Sequence, residues 1–533
     1  QKLNYPDQEV WRSWMKIPRS HVGGNWFQAK EGSGVELRNP TTEEVIASVS
    51  SSGLNMGEAV QHARVKGGAA LRELSHASRG ELLIGMSKAI HSIRDELLEL
   101  SMTSCGTTRK DSKFDIDGAS GTLYHYGSLG QEMGDSSILE DGEGEQLGRS
   151  SVFWGRHARV PRVGVAVHIN AFNFPAWGFA EKAAAAILAG MPVITKPASS
   201  TCLVTERCIE AIVDSGVLPD GVLSLISGSV GDLFDHLNEQ DVVAFTGSAD
   251  TALKIRSHPN LLARSVSVNI EADSLNAAVL ASDVEPGSET WNLFVREVAK
   301  EVTQKSGQKC TAVRRIFIPE ESRDAVVESL IEELQTRVTG SPTDDSVNMG
   351  PLATQDQLES VLEGISKLSE VADMIHGTGE RCEGVGAPEG KGYFVAPTLF
   401  EARETGGAGV IHELEVFGPV STLCRYDGTS ATAACLNSLG AGTLVTSLYS
   451  DSEEWTHDFL QKGGSYSGRF YLASERMASQ APGSGLALPS SLHGGPGRAG
   501  GGAELGGLRA LDLYSQRIAL QGAKRTVEGF VRS

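Results

Sequence analysis

Between residues 162 and 272 the chain alternates short runs rich in Val, Ile and Thr with longer runs whose apolar residues recur at helical spacing. "RVGVAVHINAF" (162–172) reads as a strand and "AWGFAEKAAAAILAG" as a helix closed by Gly190. The alternation continues with strand "PVITKPA", helix "TCLVTERCIEAIVDSG", strand "LSLISG", helix "GDLFDHLNEQ", strand "DVVAFTG", helix "SADTALKIRSH" and strand "SVSVNIEA". This order predicts βαβ units, a parallel sheet and a doubly wound α/β domain. A second rhythm begins after residue 274, with the amphipathic helix "WNLFVREVAKEVTQKS", a turn around Cys310, strand "AVRRIFIP" and helix "SRDAVVESLIEELQTRV". No internal repeat is evident.

Ligands of doubly wound sheets bind outside the carboxyl ends of the strands. Here those ends read Asn170 to Asn173, Lys196 to Ser199, Gly228 to Gly231, Gly247-Ser248 and Glu271. The GxGxxG fingerprint is missing, and "SGSVGDL" offers only a GxxG. "FTGSADTA" is the better anion site, because Gly247 and Ser248 open a predicted helix whose first amides point outward.

Cys310 is either a packed thiol or a nucleophile. Lys305, Lys309, Arg314 and Arg315 surround it in sequence and would favour a thiolate if they faced it. Glu271 ends an apolar strand, where a carboxyl resists ionisation and suits a general base, or forms an edge ion pair. Asn173 either donates to an oxyanion or caps the helix that follows. The glycine-rich "HGGPGRAGGGAELGGLRAL" (493–511) runs straight into a strand-like tail, which favours ordered structure over a linker.

At 533 residues, two or three domains are expected. Lys and Arg number 47 against 67 Asp and Glu, a formal charge of -20, which argues against nucleic acid as a general partner. The 7 cysteines are scattered with no CxxC pair, which disfavours a disulfide framework and a zinc site and suits a cytoplasmic compartment. Neither a membrane-spanning run nor an apolar signal core is found.

Taken in order, "NAFNFP", "ITKPAS", "FTGSADTA", the glutamate of "VNIEADS", "SGQKC" and "EVFGPV" resemble the NAD(P)-dependent aldehyde dehydrogenase superfamily, and the likeness covers nearly the whole chain. The resemblance implies an α/β aldehyde dehydrogenase fold: a Rossmann-like cofactor domain over 19–147 and 165–273, a catalytic domain over 274–490, and oligomerisation strands at 148–164 and 508–525 of a homodimer. It also implies that Cys310 attacks an aldehyde, that Asn173 holds the oxyanion and that Glu271 activates water. A dinucleotide cofactor would lie along Ile169, Phe172, Lys196, Ser199, Gly228, Gly247, Ser248, Ala272, Glu415 and Phe417, with no metal.

Two departures matter. Ser199 stands where NAD-preferring members carry a glutamate, which favours NADP while leaving NAD open. "EADSLN" replaces the usual ELGGK, so Ala272 and Asp273 open a stretch where the family carries glycines. That change, with "HINAFNFP", "MGPLAT", "CGTTRKDSKFDIDG" and the glycine-rich stretch, resembles the branch acting on semialdehydes of coenzyme A thioesters in aromatic-acid degradation. The chain ends soon after Tyr514, so the stand-alone type is expected rather than a fusion with a hydratase. A CoA-acylating aldehyde dehydrogenase and a non-redox cysteine thioesterase or esterase are the alternatives.

Overall fold

The computed structural model describes residues 17–531 apart from 30–33, 408, 441 and 501–503. Part of the opening hairpin and the centre of the glycine-rich stretch therefore lie outside the described residues.

The first sheet has seven strands in the order Ser267–Glu271, Val242–Thr246, Ala166–Ile169, Val193–Lys196, Leu223–Leu225, Ser20–Val22 and Asn25–Phe27. The first five run parallel, as the alternating pattern predicts, and the N-terminal hairpin joins antiparallel. Register brings the strand ends level: Ile169 lies opposite Lys196 and Phe245, and Thr246 opposite Glu271. The alanine-rich helix Trp177–Ala189 packs on this sheet and stops at Gly190, whose φ of 94° is left-handed. Its small side chains let helix and sheet approach closely, and all its alanines are buried within one apolar cluster that includes Leu188, Val193 and Ile209.

One predicted helix does not form. Within "GDLFDHLNEQ" only a 3-10 turn, Leu233–His236, is present. Asn260 Nδ2 donates to the carbonyls of Phe234 (2.7 Å) and Leu237 (2.9 Å), so those acceptors are satisfied by a distant side chain. The first strand is also shorter than its pattern, because after Ile169 the backbone leaves the sheet to carry Asn170 to Asn173.

A second seven-stranded sheet runs Ala372–His376, Thr398–Ala402, Val420–Tyr426, Arg315–Pro319, Ala277–Leu280, Val445–Tyr449 and Arg469–Ala473. It is parallel except for its first pair. Helix Glu289–Thr303 buries its apolar face against this sheet and delivers the chain to Cys310.

Ser515–Ala523 and Phe153–Pro161 pair antiparallel in a third sheet, and Leu139–Gln146 joins it. The resemblance implies that 139–146 belongs to the cofactor domain and that the oligomerisation strands lie at 148–164 and 508–525. Here Phe153–Pro161 is central, so the free edges belong to Leu139–Gln146 and Ser515–Ala523.

Candidate active site

Cys310 follows three consecutive left-handed residues, Lys305 (φ 53°), Ser306 (φ 57°) and Gly307 (φ 68°). Two of them are not glycine, so the surroundings must hold this loop against its own preference. Asp111 accepts the Lys305 N–H at 3.1 Å, and Ser306 Oγ donates to the Gly350 carbonyl at 2.7 Å. Arg314 donates to the carbonyls of Gly307 (2.9 Å), Lys309 (3.3 Å) and Gly418 (2.9 Å). Asn276 Nδ2 donates to the carbonyls of Cys310 (2.7 Å) and Ala312 (3.0 Å).

The basic neighbours are thus builders of the loop. Lys309 is buried and ion-paired with Glu301 at 2.6 Å, and Arg315 is buried with its guanidinium on the carbonyls of Leu275, Leu436 and Asn437. Arg314 precedes the strand, which starts at Arg315. The expectation that these cations favour the thiolate is not met: burial pushes the Cys310 thiol up, and the Glu271 charge adds to that.

Asn173 is 8 % exposed and its Nδ2 donates to the Gln308 carbonyl at 3.1 Å, which ties the first sheet's crest to the nucleophile loop. Asp115, from "CGTTRKDSKFDIDG", accepts the N–H groups of Ala176 (3.2 Å) and Trp177 (2.8 Å) and fixes the helix that follows. That motif is therefore a clamp, with Asp111 on one loop and Asp115 on the other.

Glu271 is buried at the end of its strand. Burial by itself raises its pKa, but His493 and then Lys182 more than offset it, so the group is held down at about 2. An apolar strand was expected to keep this carboxyl from ionising; instead it ionises readily, because two cations converge on it. His493 Nε2 is 3.5 Å from Glu271 Oε1 and 3.8 Å from Cys310 Sγ. Behind Glu271 lies the buried Glu504, whose carboxylate is 3.2 Å from the Lys182 ammonium. Lys182 is 3.1 Å from Glu181. Burial lifts Glu504 to about 8 although Lys182 opposes the shift.

Glu271, Cys310, His493 and Asn173 line one cleft of about 540 Å³, open to solvent, with Phe114, Phe174, Trp177 and Ala487 as its apolar wall. The three aromatic rings meet edge to face at 5.2–5.8 Å. Its few convergent polar groups beside an apolar wall suit a small ligand.

Of the residues expected along a dinucleotide, those of the first sheet fall on the same crest, while Glu415 and Phe417 come from the loop before strand Val420–Tyr426. The Lys196 ammonium is partly buried, has no hydrogen-bond or ion-pair partner among the described residues, and loses some basicity to that burial. Ser199 opens the short turn Ser199–Thr201 beside it. Gly228, at φ 115°, lies so close to Ser51 that a Cβ would come within 2.6 Å of its backbone nitrogen. Gly247 N–H bonds the Glu271 carbonyl (3.0 Å), and Ser248 caps helix Ala249–Arg256. Phe172, two residues past Ile169, meets Phe417 edge to face at 5.8 Å. Glu415 is held inward, accepting from Ser274 N–H (3.1 Å) and Arg314 Nε (3.4 Å).

At the "EADS" departure, Asp273 Oδ1 accepts the Ala249 N–H at 3.3 Å, so one amide of that helix's N-terminus is already used. Arg498 pairs with Asp273 at 3.1 Å, and the Arg498 carbonyl accepts the Ala272 N–H at 2.8 Å. An unpaired, desolvated ammonium at Lys196, beside closely packed glycines and a helix start, fits a phosphate-bearing ligand.

The sequence reading missed His493, Lys182 and Glu504. Lys182 had a signal, a Glu-Lys pair inside an otherwise apolar helix, where a charge needs a buried partner. His493 and Glu504 had none, since they sit in irregular backbone.

A sequence model of the Aldehyde dehydrogenase family matches residues 26–472. Among curated proteins, the 3,4-dehydroadipyl-CoA semialdehyde dehydrogenase of Aromatoleum evansii is 39% identical over 90% of this chain and 92% of its own. A betaine aldehyde dehydrogenase of Vibrio vulnificus is 28% identical over 81% of this chain and 86% of its own. Among solved structures, an NAD-dependent aldehyde dehydrogenase from Sinorhizobium meliloti superposes with a TM-score of 0.82 at 22% identity, covering 95% of each chain. Lactaldehyde dehydrogenase from Escherichia coli gives a TM-score of 0.82 at 21% identity, covering 94% of this chain and 98% of its own.

Proposed function

Because this chain belongs to the aldehyde dehydrogenase family, whose members use NAD(P), we propose that it oxidises a semialdehyde linked to coenzyme A, with NADP, to the carboxylic acid. The observation that carries the chemistry is the meeting of Cys310, Glu271 and Asn173 at one cleft from three separate parts of the chain.

In this reading Cys310 Sγ attacks the aldehyde carbon, and the Asn173 amide, held by the Gln308 carbonyl, faces the developing oxyanion. A bound nicotinamide would supply the hydride acceptor, which would leave a thioester on Cys310. Glu271, ionised at neutral pH, takes a proton from the water that hydrolyses it. The proton then has a buried route past Glu504 and Lys182. The base for water favours hydrolysis over acyl transfer to free CoA, and the Lys196 crest is unexplained by a redox-free esterase.

Lys196, Ser199, Ile169, Phe172, Gly228, Gly247, Ser248, Ala272, Glu415 and Phe417 would hold the cofactor. A neutral Ser199 next to an unpaired Lys196 suits a 2′-phosphate, which supports NADP. The coenzyme A-linked substrate is supported by the relative from Aromatoleum evansii and by an apolar cleft with room for an acyl arm and an open mouth. We also propose that the protein works in the cytoplasm as a homodimer, joined through the free edges of the 139–146 and 515–523 strands. Among the described residues no helix is long and apolar enough to cross a membrane.

Steady-state kcat/KM for free and CoA-linked semialdehydes with each cofactor tests this reading. It should be highest for a CoA-linked semialdehyde with NADP. A clear NAD preference would refute the cofactor assignment, and indifference to the CoA moiety would refute the substrate class.

A further inference from the structure

His493 approaches Cys310 and Glu271 through the same atom. Its Nε2 is 3.8 Å from Cys310 Sγ and 3.5 Å from Glu271 Oε1, and the three donor atoms lie within 4.8 Å of one another. The ring is 5% exposed, and Glu271 Oε1 has no other polar partner among the described residues. A protonated imidazole has one Nε2–H to offer these two acids, so it can serve only one strongly at a time.

We propose that His493 is a positioning residue for the nucleophile: an imidazolium shared by Glu271 and Cys310, bonded to the carboxylate while Cys310 is a thiol and to sulfur once the thiol proton has passed to Glu271. In that step the S–H bond breaks, an O–H bond forms on Glu271, and the electron pair stays on sulfur. The summed charge of the three groups is the same before and after. That matters beside an apolar wall, where creating an unpaired thiolate is costly and exchanging which of two neighbouring acids carries the negative charge against one cation is less so. The shared cation thereby supplies what the sequence-adjacent lysines and arginines do not.

The other charges that bear on this pair are Glu504, Lys182 and Glu181 behind Glu271, and Arg314 and Arg469 near Cys310. Among the described residues none of them is recorded in contact with both the thiol and the carboxyl, as His493 Nε2 is. After the attack on the aldehyde, Glu271 must release its proton before it can serve water, and Glu504 is the buried carboxyl next to it.

The inference rests on the reading of Cys310 as nucleophile and Glu271 as base, yet its test needs neither aldehyde nor cofactor. The probe is iodoacetamide on the full-length protein, with alkylation of Cys310 followed by peptide mass spectrometry as a function of pH. His493→Phe should move the midpoint of the rate profile up by one pH unit or more, about tenfold slower alkylation at pH 7. His493→Gln, which keeps a donor without the charge, should move it part of the way, and it carries the test if the Phe variant does not fold. Glu271→Gln, which removes the competing anion, should move it down. Profiles of His493→Phe and His493→Gln that superimpose on wild type would overturn the proposal. If instead the profiles shift as stated while the wild type reduces neither cofactor with any aldehyde, the dehydrogenase reading fails and the shared cation stands.

Discussion

Along the crest of the first sheet, Ile169, Lys196, Thr246 and Glu271 are set level by the hydrogen-bond register of parallel strands. Across the cleft, the described residues between His493 and Gly507 form no named strand, and Gly494, Gly497, Gly500, Gly506 and Gly507 all take positive φ. Both regions meet at Glu271, one through its own strand and the other through His493 and Glu504, with the Arg498 carbonyl on the next residue, Ala272. The comparison teaches a division of labour. Regular structure places the reacting groups, and the irregular segment sets their charge.

If that division is right, crest variants should cost rate and segment variants should mainly alter pH behaviour. The largest effect is expected for Glu271→Gln, a fall of about 10²–10⁴ in steady-state turnover. Rapid-mixing absorbance should still show one reduced cofactor per subunit, with an acyl group left on Cys310 in the intact mass. Loss of that first turnover would mean that the Cys310 thiol proton has no acceptor other than Glu271. Next, Asn173→Ala should lower kcat by about 10²–10³ with a smaller change in KM, the signature of a donor to a developing oxyanion. An effect on KM alone would reduce Asn173 to a tie between crest and loop.

On the segment side, Glu504 has a folded pKa near 8, above its ordinary 4.5, because burial dominates. Such a carboxyl binds more protons folded than unfolded, so the stability it allows at low pH is lost as pH rises through about 8. Glu504→Gln should therefore narrow the difference in thermal midpoint between pH 6 and pH 8, by about a degree or two. An unchanged difference would show that Glu504 is already ionised beside Lys182. The smallest effect belongs to Arg498→Ala. Its ion pair with Asp273 is partly exposed, so the loss should stay below about 1 kcal/mol by thermal unfolding, while the backbone bond to Ala272 persists. A larger loss would shift the segment's anchoring from backbone to side chain.

The same contrast explains how far the sequence could be read. Strand and helix periods located Asn173, Lys196, Gly247 and Glu271, because a parallel sheet turns a local pattern into a shared edge. The "GDLFDHLNEQ" helix failed since its carbonyls are taken by Asn260, which is distant in sequence. The basic residues around Cys310 were legible as charges but not as directions: Lys309 turns to Glu301 and Arg315 into the core. His493 and Glu504 were hidden because glycine-permitted backbone has no period to extrapolate. Their position follows only from long-range packing, such as the bond from Glu504 N–H to the His493 carbonyl at 2.8 Å.

Everything above turns on Cys310 as the atom that carries the substrate. Cys310→Ala should bind NADP with wild-type affinity by fluorescence titration, yet form no NADPH with any aldehyde and no acylated protein by intact mass. Retained dehydrogenase activity in that variant would contradict the account at its centre.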